Sequence, residues 1–587
     1  MTMPAKGLIG VLLLVLAVSG GPAAAQEEVE VTEAEAAAAK PLADDMPDAE
    51  LTLTYEEYLE NPNRTTIQEA ISADVIDLNE LREAIQAQAS FEQLRLSLEE
   101  CVQIALRRNP DIEISGIEPL RADSDVMAAK GEFDAMWQTT ANYLRSSVTA
   151  SQQFEFFGGI SSIESYTTTI DSTVGGKLHT GTQYALAYNL VKDENTYGGF
   201  IEEFEGRLGL TLTQPLLRGF GLKVNKVHIT MAKNARAMGI EQFRLQVMNT
   251  VAEVAKAYWD LVGAIENVKV QRESLANAER LLKINETRRE IGTAADIDVA
   301  QSKAGVATRQ GELISARARV SDAGDRLKLL LDLQEGDYFS KASIVPTSRP
   351  SAKDSPIAPT EADAVMDISV QQALEHRPEV EISDLQIENA ELDAMKARNE
   401  MLPEFNITGM YAQGGRNHKL RQMLYGIKGG DHFFYSYGFE ATVPIGNRTA
   451  RGNYQRKKLT VREMELRKHQ TLQSLMMNVH MAVRNVLTNQ ILVESNRQAR
   501  KLQEANVTAE MKRLRLGVTT SWQVLQVQED LTAAQTLEVQ AQTAHEKALV
   551  DLELARGTLL DEMGIEPVLP EAEPPPSYLD SFRPRWK

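Results

Sequence analysis

The chain has 587 residues, 43% hydrophobic and 25% charged, a composition that can bury large apolar faces and excludes both a small stapled scaffold and a wholly disordered chain. Its formal net charge is −21, with 83 acidic against 62 basic residues, which argues against nucleic acid as a partner. The single cysteine, Cys101, excludes an intrachain disulfide and a cysteine-built zinc site; its spacing with Leu98, Val102 and Ala105 predicts a core thiol on a helix.

Residues 1–25 read as a secretory signal peptide: Lys6, an apolar run over 8–18, then Gly20-Gly21-Pro22 and Ala23-Ala24-Ala25. Residues 26–96 form an acidic N-terminal extension with 18 Asp or Glu against 4 Lys or Arg, two thirds of the net charge. Its first part, 26–63, lacks periodicity and reads as an arm, whereas Thr66 and Glu69 form a capping box that opens an amphipathic helix reaching Ile85. No later run of about 18 apolar residues occurs, so a helical membrane span is excluded. The alternatives are a soluble protein outside the cytoplasm and a transmembrane β-barrel, the other structure that satisfies its backbone hydrogen bonds in lipid.

Strand patterns occupy about 137–213 and 405–443. Leu208, Leu210 and Leu212 alternate with polar residues or glycine, as do Tyr435, Tyr437 and Phe439 with Ser436, Gly438 and Glu440. Period two fits a half-buried soluble sheet as well as a membrane barrel. The stretches after these strands are helical. No proline occurs between Pro215 and Pro346 or between Pro444 and Pro567, and 64 residues between Gly452 and Gly517 lack glycine too. One helix there would reach about 96 Å. Gly292 and Gly517 mark reversals, which predicts helical hairpins over about 222–333 and 447–562 with Trp259 and Trp522 as packing residues. A Pro-rich linker covers 334–366 and a Pro-rich tail 563–587. The fold class is therefore mainly α with β. No motif for a nucleophile, a phosphate cradle or a metal pair is present, so no catalytic, cofactor or metal site is assigned and an enzyme is not expected.

The chain reads as two internal repeats, 97–333 and 367–562. The segment Ala105-Leu106-Arg107-Arg108-Asn109-Pro110 corresponds to Ala373-Leu374-Glu375-His376-Arg377-Pro378, the strand exit Gln214-Pro215-Leu216-Leu217 to Val443-Pro444-Ile445-Gly446, and Gly292 to Gly517. With these motifs in order, the sequence resembles the TolC-like outer-membrane efflux protein family. The resemblance implies a homotrimer whose strands form a 12-stranded β-barrel against outer-membrane lipid and whose long hairpins form a helical barrel in the periplasm. It also implies a passive exit duct for efflux or type I secretion, served by a periplasmic adaptor protein and an inner-membrane transporter. Leu208, Leu210, Leu212, Tyr435, Tyr437 and Phe439 are then the membrane-facing strand residues. The alternative from a different class is a periplasmic coiled-coil scaffold with a small capping sheet. A further hairpin, 165–174 with 182–190, is expected to be a loop outside the wall, leaving four wall strands per chain.

The resemblance places a periplasmic tip and gate at Gly292, Asp296, Asp298, Arg513, Arg515, Gly517, Thr519, Gln523 and Gln526. The family's aspartate is matched by Asp298, but its arginine and tyrosine partners are replaced by Thr519 and Leu514, and its acidic ring by Gln523 and Gln526. Two expectations stand side by side: Asp296 or Asp298 pairs with Arg513 or Arg515 across neighbouring hairpins, or the tip charges are solvated and packing holds it.

Overall fold

The computed structural model describes residues 93–149, 162–196, 199–333, 343–349, 362–430 and 432–569. The expected signal peptide, the acidic extension as far as residue 92 and the tail beyond 569 lie outside the described residues.

The first part of the chain runs β1 (Gln93–Leu96), α1 (Leu98–Arg108), α2 (Pro110–Lys130), β2 (Met136–Thr149), β3 (Ser162–Lys177), β4 (Gln183–Asn195), β5 (Glu203–Pro215), α3 (Leu222–Asn225), α4 (Val227–Glu290) and α5 (Asp296–Leu330). The second runs β6 (Ser343–Pro346), α6 (Ala362–His376), α7 (Pro378–Glu400), β7 (Glu404–Asn417), α8 (Leu420–Gly429), β8 (His432–Thr442), α9 (Arg448–Arg515), α10 (Ser521–Arg556) and α11 (Leu559–Glu562).

Freedom from proline lets α4 extend over 64 residues and α9 over 68, about 96 and 102 Å at the ordinary helical rise. Each ends at a glycine with positive φ, 75° at Gly292 and 73° at Gly517. A residue with a Cβ pays about 1–2 kcal/mol for that conformation, so glycine is where each helix can reverse into α5 or α10. Side by side, the lower helices lie in the order α5, α4, α10, α9, and the upper ones in the order α2, α4, α7, α9.

The largest core lies where α1 and α5 meet the middle of α4, and includes Cys101, Val102, Phe243, Val251, Tyr258, Leu261 and Leu327. Cys101 is buried there as its spacing predicts, and burial pushes its thiol pKa up to about 12. The Tyr258 hydroxyl donates to the Leu96 carbonyl (3.3 Å) and accepts from the Ser348 N–H (2.8 Å). It thereby clamps β1 and the residues after β6, which pair in parallel. Neither short strand is visible in the sequence pattern, and β6 lies within the segment expected to be only a linker.

The Asn109-Pro110 motif has a local physical purpose. The Asn109 side-chain oxygen accepts from the N–H groups of Asp111 and Ile112 at the start of α2, while its Nδ2 donates to the Leu330 carbonyl at the end of α5 (2.9 Å). Arg377, before Pro378, donates from its guanidinium to the Leu554 carbonyl in the last turn of α10 (2.7 Å). In both places the residue before proline ties an upper helix to the end of a returning helix. Asn109→Ala removes an N-cap worth about 0.5–2 kcal/mol and leaves a carbonyl without its partner, a further loss of about 1–3 kcal/mol. Thermal unfolding of the solubilised protein should therefore shift down clearly for Asn109→Ala and less for Asn109→Asp, which keeps the capping oxygen.

The long strands form one antiparallel sheet in the order β2-β3-β4-β5-β7-β8. This corrects the expected exclusion of the 165–174 and 182–190 hairpin: both segments lie inside the sheet as β3 and β4, and β3 pairs with β2 on one side and β4 on the other. The ladder between β3 and β4 is unbroken from Ser165↔Asn195 to Lys177↔Gln183. Expelling them would orphan two rows of backbone donors and acceptors. Their apolar positions also align with those of the flanking strands.

Candidate channel wall and hairpin tip

Strand register sorts the side chains of the sheet into two faces. Following the pairings across all six strands gives the row Trp137, Val174, Leu186, Leu210, Tyr411, Tyr435. Leu212 and Tyr437 flank this row on the same face, as do Leu208 and Phe433. Toward the Pro215 end the rings of Phe405 and Phe439 stack at 5.7 Å. The opposite face carries Asn142, Asp171, Asn189, Arg207, Thr211 and Glu440, with the Asn189 amide donating to Asp171 at 2.6 Å.

A Cβ built on Gly209 would lie 3.1 Å from the Cβ of Ala412, directly opposite on the polar face. Opposed Cβ atoms ordinarily stand about 4.5–5.5 Å apart, so β5 and β7 approach unusually closely at this point and glycine leaves room for it.

The sequence-predicted membrane residues all fall on the apolar face. Leu210, Leu212, Tyr435, Tyr437 and Phe439 are exposed there, Tyr437 at 85%. Leu208 is half-buried, because at that end helix α8 lies against the sheet. Met423 and Ile427 of α8 close over Gly206, and a Cβ on Gly415 would sit 2.3 Å from the Met423 carbonyl oxygen. Helix α8 carries its apolar residues on the side facing β5 and β7 and leaves Arg421, Tyr425 and Lys428 exposed.

At the other end of the long helices the two hairpin tips meet. Leu281 of α4, Leu514 of α9 and Val524 of α10 form a small closed core, with Met511 and Leu525 against it. Beside it the Asn285 amide donates to the Ser302 hydroxyl (2.8 Å) and accepts from the Ser521 hydroxyl (3.1 Å), joining both hairpins through buried polar groups.

Asp296, Asp298 and Arg513 are engaged within their own hairpins. The Asp298 carboxylate accepts from the Ala295 N–H at 3.3 Å as a helix cap, and Asp296, whose side chain is 93% exposed, stands 3.9 Å from Arg289. Arg513 pairs with Glu510 at 2.9 Å, and the Thr519 hydroxyl donates to the same carboxylate across the turn. Within the chain, none of the described ion pairs joins Asp296 or Asp298 to Arg513 or Arg515. Arg515, Gln523 and Gln526 are exposed, as are Gly292 and Gly517.

Trp259 is a core residue, edge-on to Tyr258 at 5.6 Å. Trp522 is 58% exposed at the tip, which corrects its expected packing role: its helical position faces away from the Leu514 and Val524 core. Sequence reasoning missed Glu510, Asn285, Ser302 and Ser521. Asn285 had a legible signal, since it continues the buried stripe of Ala278 and Leu281 at helical spacing.

Solved outer-membrane channels share this combination of an antiparallel sheet and long paired helices. The Campylobacter jejuni CmeC outer membrane channel superposes with a TM-score of 0.56 at 17% identity, covering 80% of this chain and 86% of that one. The outer membrane protein VceC of Vibrio cholerae gives 0.54 at 16% identity over 78% of this chain and 96% of that one. In sequence, the chain is 24% identical to the outer membrane efflux protein BepC of Brucella suis, over 62% of this chain and 74% of the relative. It is also 24% identical to the pyoverdine export outer membrane protein OpmQ of Pseudomonas aeruginosa, over 53% of this chain and 61% of the relative. The outer membrane efflux protein family model matches residues 101–332 and 369–558, and the chain belongs to that family.

Proposed function

We propose that three copies of the chain form a passive exit duct through the outer membrane, serving an efflux or type I secretion system. The observation that carries this reading is the apolar face of the sheet, with Leu210, Leu212, Tyr435, Tyr437 and Phe439 exposed on it. Apolar outside and polar inside is the pattern of a membrane barrel. A periplasmic scaffold would need that face covered, and on β5, β7 and β8 it is exposed at Leu210, Leu212, Tyr411, Tyr435, Tyr437 and Phe439.

Association of copies is supported by the flanks. The outermost helices expose large apolar residues, including Ile114 and Met127 on α2, Ile314 on α5, and Leu459, Ile491 and Leu502 on α9. The edge strand β8 is exposed at every residue and β2 at all but one. Open edges do not persist in lipid, so neighbouring copies must close them. The two separate family matches and the paired ties at Asn109 and Arg377 support the reading of the chain as two repeats.

In this arrangement the tips form the periplasmic gate, held by the Leu281, Leu514 and Val524 core with the nearby charges as its rim. Exposed Ile291, Ile297, Leu516 and Val518 offer an adaptor protein an apolar docking edge there. The inner-membrane transporter then supplies the energy. Membrane fractionation with unboiled gel electrophoresis tests the reading. The expected result is outer-membrane recovery as a heat-sensitive trimer. A monomer in the soluble periplasmic fraction would overturn it.

A further inference from the structure

Six strands per chain, rather than four, change the dimensions of the wall. We propose that β3 and β4 are lipid-facing wall strands, so that three chains close a barrel of eighteen strands as wide as the helical duct it continues.

Three features of the sheet carry this. First, the apolar row crosses β3 and β4 through the half-buried Val174 and Leu186, level with the exposed Trp137, Leu210, Tyr411 and Tyr435, and Ile170, Tyr188 and Leu190 extend the apolar face beside it as buried residues. Second, β3 and β4 run 16 and 13 residues, enough for a tilted strand to cross a bilayer, which takes about 9–11. Third, the even strand number makes the seam work. The outermost strands β2 and β8 run in opposite senses within the sheet, because each of its five pairings is antiparallel. The β8 edge of one chain can thus take the β2 edge of the next as another antiparallel pair.

The widths agree. Strands about 4.8 Å apart and tilted about 40° give eighteen strands a circumference of about 113 Å, and twelve strands about 75 Å. The upper helical layer sets α2, α4, α7 and α9 side by side in each chain. Twelve such helices at interaxial distances of about 8–10 Å span about 96–120 Å. At this tilt an eighteen-stranded wall is close in circumference to the helical layer. Barrels of about 16–18 strands keep an aqueous lumen, so the membrane section sets no tighter size limit on cargo than the helices do.

The proposal rests on the membrane reading above, and the test separates the two. Leu186→Cys, Val174→Cys, Leu210→Cys and Asn189→Cys are each labelled with an environment-sensitive fluorophore in the full-length protein, reconstituted with brominated phospholipid. Cys101 is buried with its thiol pKa pushed up to about 12, so it does not compete for label. The expected result is quenching at Leu186 and Val174 as strong as at Leu210, with little at the polar-face Asn189. Quenching at Leu210 alone would overturn the eighteen-stranded wall and keep the membrane reading. Equal quenching at Leu210 and Asn189 would overturn both.

A second measurement needs no lipid contact. In the assembled protein, Asn142→Cys should form a disulfide with Thr169→Cys, its register partner on β3, and none with Glu205→Cys on β5. Were β3 and β4 looped out, β2 and β5 would be neighbours. The Asn142 and Glu205 pair would then link instead, and the proposal would fall.

Discussion

Leu210→Lys should prevent assembly in the membrane, while Thr211→Lys, one residue further along β5, should leave it nearly intact. Leu210 is 42% exposed in the centre of the apolar row, and Thr211 points to the polar face. A lysine on the lipid side costs about 2–4 kcal/mol at mid-bilayer, and a trimer carries that cost in each subunit. Against an ordinary domain stability of about 5–15 kcal/mol, such a sum removes most of the margin. The polar face, the lumen side of the proposed duct, already holds Arg207 and Glu440, so a further charge there costs little. Tyr437→Lys should weaken assembly in the same direction, and by less where its row approaches the headgroups. The readout is the heat-sensitive trimer band and its share of the outer-membrane fraction. Equal trimer yields from Leu210→Lys and Thr211→Lys would show that the apolar face does not meet lipid.

Leu281→Ala should raise the resting conductance of the proposed duct more than removal of any pair of tip charges. Leu281 is fully buried, and it meets Leu514 and Val524 from the other hairpin. Truncating a packed leucine costs about 2–5 kcal/mol, here concentrated on the contact that holds the two tips together. Asp298 is occupied as a helix cap and Arg513 is occupied by Glu510, while exposed ion pairs contribute about 0–1 kcal/mol and fade with salt. In planar bilayers the resting conductance should therefore rise for Leu281→Ala. It should change little for Asp296→Ala combined with Asp298→Ala, or for Arg513→Ala combined with Arg515→Ala. A large rise in both charge doubles, with none in Leu281→Ala, would identify an ionic lock between chains instead.

Much of the wall was legible one strand at a time. Leu208, Leu210 and Leu212, like Tyr435, Tyr437 and Phe439, alternate strictly, because a strand with one face in an apolar medium has no other option. Whether β3 and β4 belong to the sheet was not legible. A hairpin with good alternation pairs with itself equally well inside a sheet or beside it, and only the ladders from β3 to β2 and from β4 to β5 decide its place. The same holds at the tip. Gly292 and Gly517 announce reversals by their backbone freedom, whereas the partnership of Glu510 with Thr519 and Arg513 arises only once the turn brings them together.

By itself, then, the sequence determined what depends on neighbours along the chain: helices of 64 and 68 residues from the absence of proline, their reversal at two glycines, the buried thiol on its helix, and the apolar side of each strand. The tertiary structure decided what depends on residues far apart in the chain: a six-stranded sheet in place of four strands per chain, the parallel β1 and β6 clamp under Tyr258, the Asn285 network and the exposure of Trp522. The division is physical. Helix propensity and alternation act over a few residues, whereas strand neighbours and buried polar partners are chosen by which pairing leaves no backbone or side-chain hydrogen bond unmade.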